Sequence, residues 1–324
     1  MLTLLALLSV TPDPQSVAAI RNDVAFLASD SLAGRERGSD GGRAAAAFLA
    51  GQLRRIGWQP FERAYRHEFV RSPKRRRGRN RQPESPLLMQ NVVAVSRPAA
   101  TGERYLVVGA HYDHVGLGDR GGSFGPRGLV HNGADDNASG TAAVLDLARR
   151  LFRDPLPAGS RPIMLVLFDG EEGGLFGSQA FAQQHRRRIA AMINLDMVGM
   201  LSQSRVYVWG ATTAPAFASA LDRMQAATGL SLDRRAEHIV RSDHWSFYEH
   251  DIPYLMLHTG LHPDYHRPAD DADRLNYPGL ARIAGAVESL VRTLADPAVD
   301  LSLVAASKDL QIVPSPPWQP QFAK

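Results

Sequence analysis

Six short apolar runs constrain this chain most: residues 91–95, 105–110, 163–168, 192–195, 206–209 and 254–257. Each is bounded by turn-forming or polar residues and is apolar apart from Asn91 and Asn194, the pattern of strands buried on both faces of a sheet. Helical spacings separate them, at residues 139–152, 178–189 and 214–228, with others at 16–28, 42–57 and 280–294. Strands alternating with helices predict an α/β sandwich around a mostly parallel sheet. At 324 residues the chain suits one large domain or two small ones.

The polar residues are not scattered over this pattern. YLVVGA is followed directly by His111, Tyr112, Asp113 and His114, and IMLVLF by Asp169, Gly170, Glu171 and Glu172. MINL is followed by Asp196, and YLML by His258, His262, Asp264 and His266. In open α/β sheets the ligand crevice lies outside the carboxyl ends of the strands. All four clusters therefore converge on one edge.

A fifth cluster, Asp135 and Asp136 in LVHNGADDNASG, stands at the entrance of the 139–152 helix. Taken singly, these groups have ordinary explanations. Two acids before a helix cap it, Glu171-Glu172 is a solvated helix start, and a lone histidine is most often structural. Asp196 differs, because an aspartate between MINL and Met-Val-Gly invites burial, and a buried carboxylate needs a partner.

The chain has no cysteine, which excludes disulfides and thiolate ligands and leaves a metal to His, Asp and Glu. Such ligands suit zinc, with manganese or cobalt as substitutes. One shared carboxylate can hold two ions about 3.5–4 Å apart, and a further carboxylate outside the ligand set then serves as general base. Asp113, two residues after His111, is placed to orient the imidazole. His114, His131, His185, His238, His250 and His258 read as structural or surface residues.

Charge is localised. Residues 66–81 hold eight Lys or Arg and one Glu, +7 of a net +4, so the remainder carries −3. Residues 61–70 read as a strand and 66–86 as a basic loop insertion whose 72–86 stretch is solvated, since that stretch lacks the interleaved aromatics that single-strand binding uses, and no specific nucleic-acid partner is expected. Residues 2–10 are apolar, too short to span a bilayer but suited to the core of an export signal within residues 1–15. That expectation places the protein in the periplasm or outside the cell. A single catalytic domain is expected over 16–300, followed by a Pro-rich tail over 301–324.

AHYDHVG, NGADDNASG, LFDGEEGGLFGS, NLDMVG and SDHWSFYEHDIPYLMLHTGLHPDYHRPADD together resemble, in order and spacing, the bacterial di-zinc aminopeptidase family. That family is related to glutamate carboxypeptidases and glutaminyl cyclases. The resemblance implies a three-layer α/β/α sandwich with a mixed, mostly parallel central sheet, two zinc ions per chain and peptide substrates. By position it makes Asp135 the carboxylate bridging both ions, with a cis peptide to Asp136. His111 and Asp196 would complete one zinc site, and Glu172 and His266 the other. Glu171 would be the general base that activates the attacking water, Tyr265 would stabilise the oxyanion, and Asp113 and Asp136 would support the ligands. Asp243 matches a motif position near the pocket.

The implied activity is that of a metallo-aminopeptidase. The alternatives are a glutaminyl cyclase, which works with one zinc, and a carboxypeptidase or dipeptidase, for which Arg241 would fix the substrate carboxylate. Retention of both His111 and Asp196 favours the two-ion enzyme. A receptor-like module that has lost its metals would show broken ligands, and the five positions are intact.

Overall fold

The computed structural model describes residues 12–71, 86–119 and 121–313. The expected export signal falls largely on residues outside this set, as does most of the basic run.

The strands, in chain order, are β1 (Gln59–Pro60), β2 (Arg66–Arg71), β3 (Leu87–Val95), β4 (Tyr105–His111), β5 (Ile163–Phe168) and β6 (Ile189–Leu195). They continue with β7 (Arg205–Trp209), β8 (Ser231–Arg234), β9 (His238–Ile239), β10 (Tyr254–His258) and β11 (Ile312–Val313). The main sheet runs β1-β3-β5-β4-β6-β10-β7-β8, with β2 paired to β3. Its centre, β5-β4-β6-β10, is parallel throughout, while β3 and β7 join it antiparallel. The carboxyl ends of all four central strands therefore share one edge, and His111, Asp169, Asp196 and His258 lie there.

Alternation along the strands builds a core on each face. In β5, Ile163, Leu165 and Leu167 enter the larger core, while Met164, Val166 and Phe168 enter the smaller. Five helices cover the first face: α1 (Pro14–Leu27), α2 (Asp40–Ile56), α3 (Gly140–Arg153), α5 (Phe217–Thr228) and α7 (Tyr277–Leu294). On the other face lie α4 (Phe176–His185), through Phe181, and α6 (His244–Tyr248), through Phe247. This is the three-layer sandwich with a mixed sheet.

Local sequence sets the helix ends. Ser39 caps α2 by accepting from Gly42 N at 3.0 Å, and Gly57 closes it at φ 107°. Asn276 caps α7 by accepting from Gly279 N at 2.9 Å. Among the described residues, no helix is long and apolar enough to cross a membrane.

The sequence boundaries shift in three places. The strand expected over 61–70 begins later, as β2, so the basic insertion opens on a strand that pairs in full with residues 87–92 of β3. The expected 178–189 helix stops early: Arg186–Arg188 tighten into a 3-10 turn and Ile189 already pairs with Tyr105. The tail begins folded, with Val304 N bonded to Thr213 O at 2.9 Å and β11 paired to β9.

His244, at the start of α6, is fully buried and donates from Nε2 to Ile239 O at 2.8 Å. Burial pushes its imidazole down from 6.5 to about 4. Between those values the unfolded chain takes up a proton that the folded chain refuses. Stability from this group is thus complete above pH 6.5 and falls as the pH drops toward 4. Urea melts of chelator-treated protein at pH 7 and 5 should show the wild type losing about 2 kcal/mol more than H244Q over that fall. Equal losses would remove His244 from the account.

Candidate metal centre

Two groups of ligand atoms form at the carboxyl edge. His111, Asp136 and Asp196 make one; His114, Asp136, Glu172 and His266 make the other. Within each group the ligand atoms lie within 4.8 Å of one another. Asp136 belongs to both. Its Oδ1 lies 3.3 Å from His111 Nε2, and its Oδ2 lies 2.9 Å from His266 Nε2. Asp196 Oδ1 stands 3.7 Å from His111 Nε2, and Glu172 Oε1 stands 3.2 Å from His266 Nε2.

The expectation for Asp135 is corrected by one residue. Its Oδ1 accepts from Gly199 N at 2.7 Å and its Oδ2 lies 3.3 Å from His262 Nε2, so it enters neither group. The cis peptide falls between Asp136 and Asn137, not between Asp135 and Asp136. The Asp136 turn is fixed on both sides. Asp270 accepts from Asp135 N at 2.9 Å and from Asp136 N at 3.1 Å. Asn137 donates to Leu195 O and accepts from Gly140 N and Met197 N, which ties the turn to the end of β6. Gly133 must be glycine: at φ 56° its Cβ would lie 2.3 Å from Asp136 O and 2.4 Å from His114 Cγ.

Each imidazole is aimed by its other nitrogen. His111 Nδ1 is 3.1 Å from the main-chain oxygen of Asp113, and His266 Nδ1 is 2.5 Å from Gly122 O. Both Nε2 atoms therefore face the carboxylates, the orientation of metal-ligating histidines. Asp113 holds His111 through its carbonyl rather than its carboxylate, which stands 3.7 Å from Nδ1. That carboxylate instead accepts from Glu171 N at 3.0 Å and Glu172 N at 3.3 Å, setting the turn after β5.

His114, which the sequence reading left as structural, lies inside the second group, with Nδ1 2.9 Å from Glu172 Oε1. Asp270 was missed as well; its position among ordinary loop residues gives no signal of its two hydrogen bonds to the turn. Glu171 enters neither donor group. The Tyr265 ring lies against His266, with centroids 3.9 Å apart, and against Phe124 at 5.7 Å. Asp243 is fully buried, and Arg241 is exposed.

The electrostatics follow from the crowding of acids. Burial drives the Glu171 carboxyl well above the usual range, against the pull of His111 and helped by Glu172, Asp243 and Asp196. Burial likewise raises Asp113, Asp243 and Asp270 to about 7 each. Burial opposes protonation of His111 and His266, but the surrounding carboxylates outweigh it and hold both well above 6.5. A cage with this much buried negative charge and two aimed imidazoles fits hard or borderline dications.

Comparison with known proteins decides the family. The model of peptidase family M28 matches residues 91–291, more than half the chain. The chain belongs to peptidase family M28. Across 237 residues, 62% of the chain and 70% of the relative, it is 30% identical to the uncharacterized protein YfbL of Escherichia coli. Solved structures share the fold, among them two named for different activities. One is BSAP, a zinc aminopeptidase from Bacillus subtilis, with TM-score 0.66 and 17% identity over 89% of this M28 chain and 98% of that one. The other is a glutaminyl cyclase of Fimbriiglobus ruber, with TM-score 0.70 and 20% identity over 87% and 98%. The chain spans less than half the length of the curated leucine aminopeptidases it matches.

Proposed function

We propose that this M28 chain is a zinc-dependent aminopeptidase that removes N-terminal residues from peptides. One zinc is assigned to His111, Asp136 and Asp196, the other to Asp136, Glu172 and His266, with His114 bracing Glu172. The observation that carries this reading is the Asp136 carboxylate, one oxygen toward His111 and the other toward His266. When bound, the two ions supply Lewis-acid polarisation of the scissile carbonyl and lower the pKa of a water.

The chain's own residues do the rest. Glu171, desolvated and outside both donor groups, takes the proton of the attacking water and returns it to the leaving amine. Asp113 holds the Glu171–Glu172 turn by its two amides, so base and ligand keep their spacing. Tyr265, packed on His266, is assigned the developing oxyanion.

The aminopeptidase assignment is supported by relatives of that name and by the zinc aminopeptidase fold. It is tested with aminoacyl chromogenic substrates carrying a free or an acetylated α-amino group. Hydrolysis of the free form and none of the blocked form is expected, along with about two zinc ions per chain. Equal rates on both forms would sink it. The fold likeness to a glutaminyl cyclase favours a second reading. Peptides with N-terminal glutamine separate the two, because a cyclase releases ammonia and leaves every peptide bond intact.

A further inference from the structure

Arg35 is fully buried, yet every hydrogen bond described for its side chain goes to a main-chain carbonyl. Nε donates to Tyr112 O at 2.7 Å, Nη2 to Gly133 O at 2.9 Å, and Nη1 to Asn132 O at 2.6 Å and to Leu27 O. Burying a guanidinium without a paired carboxylate is costly, so so complete a set of acceptors calls for a reason. The three segments it joins supply one. Tyr112 lies between His111 and Asp113, and Asn132-Gly133 is the approach to Asp135 and Asp136. Leu27 ends α1, which anchors both to the core through Ile20 and Val24.

The backbone around Arg35 is stitched to the same place. His114 N donates to Arg35 O at 3.3 Å and Gly116 N to Gly34 O at 3.2 Å. Gly34, at φ 69°, passes so close that a Cβ would lie 2.5 Å from His131 O. Burial lowers the guanidinium to about 10, against the field of Asp270, Asp113, Asp136 and Glu172, so it remains charged at neutral pH.

We propose that Arg35 is a positioning residue for the two-metal site: its planar fork fixes the His111–Asp113 and Asn132–Asp136 segments at the spacing that lets Asp136 serve both donor groups. The inference rests on the two-zinc reading. Position, rather than charge alone, is what the fork supplies. Lysine keeps the charge but is a point donor that cannot reach the carbonyls of three segments in one plane.

The test uses the full chain as wild type, R35K, R35M and L49A. Leu49 is a fully buried core residue of α2, and its truncation calibrates general destabilisation. Zinc is titrated calorimetrically into chelator-treated protein, and amide exchange over residues 131–137 is followed in the same samples. R35K and R35M should each weaken zinc binding about 10- to 100-fold. Their 131–137 amides should exchange faster, while L49A lowers Tm and leaves both readouts near wild type. R35K with wild-type zinc affinity would overturn the proposal, because charge alone would then suffice. L49A matching the Arg35 variants would also overturn it, as would failure of both Arg35 variants to fold, which would assign Arg35 to folding alone. Should the wild type bind no zinc, the two-zinc reading fails separately. Amide exchange then decides the clamp, and equal protection in R35K and wild type refutes it.

Discussion

Asp136→Asn is expected to remove zinc from both donor groups and to reduce peptidase turnover by at least about a thousandfold. The substitution keeps the size of the side chain and leaves the Asp136 N–H bonded to Asp270. What it removes is one negative charge and one of two acceptor oxygens. Among the described residues, Asp136 is the carboxylate common to both donor groups, with one oxygen toward His111 and the other toward His266. Asp135→Asn serves as the control. Its carboxylate faces Gly199 N and His262, so the loss should register in stability while zinc content stays near wild type. Metal analysis and calorimetric titration of both variants decide the matter. Zinc retained by Asp136→Asn and lost by Asp135→Asn would restore the earlier register and break the geometry described above.

That control also marks where sequence reasoning ends. Bringing the clusters that hold His111, Glu172, Asp196 and His266 to one edge needed only the rule that strands of an α/β sheet open their carboxyl ends onto a crevice; choosing those four within the clusters took the family resemblance. The parallel pairing of β5, β4, β6 and β10 realises that rule. Asp135 and Asp136 are different, being identical residues side by side. No periodicity separates them, because their directions are set by groups remote in sequence: Asp270 on both amides, Gly199 on one carboxylate, and His111 with His266 on the other.

Arg35 is illegible for the same reason. In AGRERGS it is one of two arginines in a Gly-rich loop, and its partners are carbonyls, which every residue type carries equally. Asp113 shows the intermediate case. Its spacing from His111 pointed to the right pair, but two N–H groups of the β5 turn compete for its carboxylate and leave its carbonyl for the imidazole. At the level of elements, the apolar runs predicted the central strands. They missed the 3-10 turn at Arg186–Arg188, since an Arg triplet before Ile189 is equally compatible with a helical face.

Glu171→Gln separates catalysis from metal binding. The glutamine keeps the shape and both polar positions of the side chain but cannot accept the proton of the attacking water. Zinc affinity should stay within a few-fold of wild type, since Glu171 belongs to neither donor group and the Asp113 bonds to the 171–172 turn involve only main-chain amides. Turnover should fall about 10²–10⁴-fold, the range that a positioned general base contributes. KM should change little, because the loss is confined to the transition state. The same environment that makes Glu171 a base explains why substitution should not cost stability. Burial holds its carboxyl well above the usual range, beside Glu172, Asp243 and Asp196, so a neutral amide relieves repulsion among buried acids. Glu171→Gln is therefore expected to raise the Tm of chelator-treated protein while lowering kcat. If turnover survives with zinc in place, the base lies elsewhere in the cage, and Asp243, fully buried and in the field of Glu171 with its carboxyl raised by burial to about 7, is the next residue to replace.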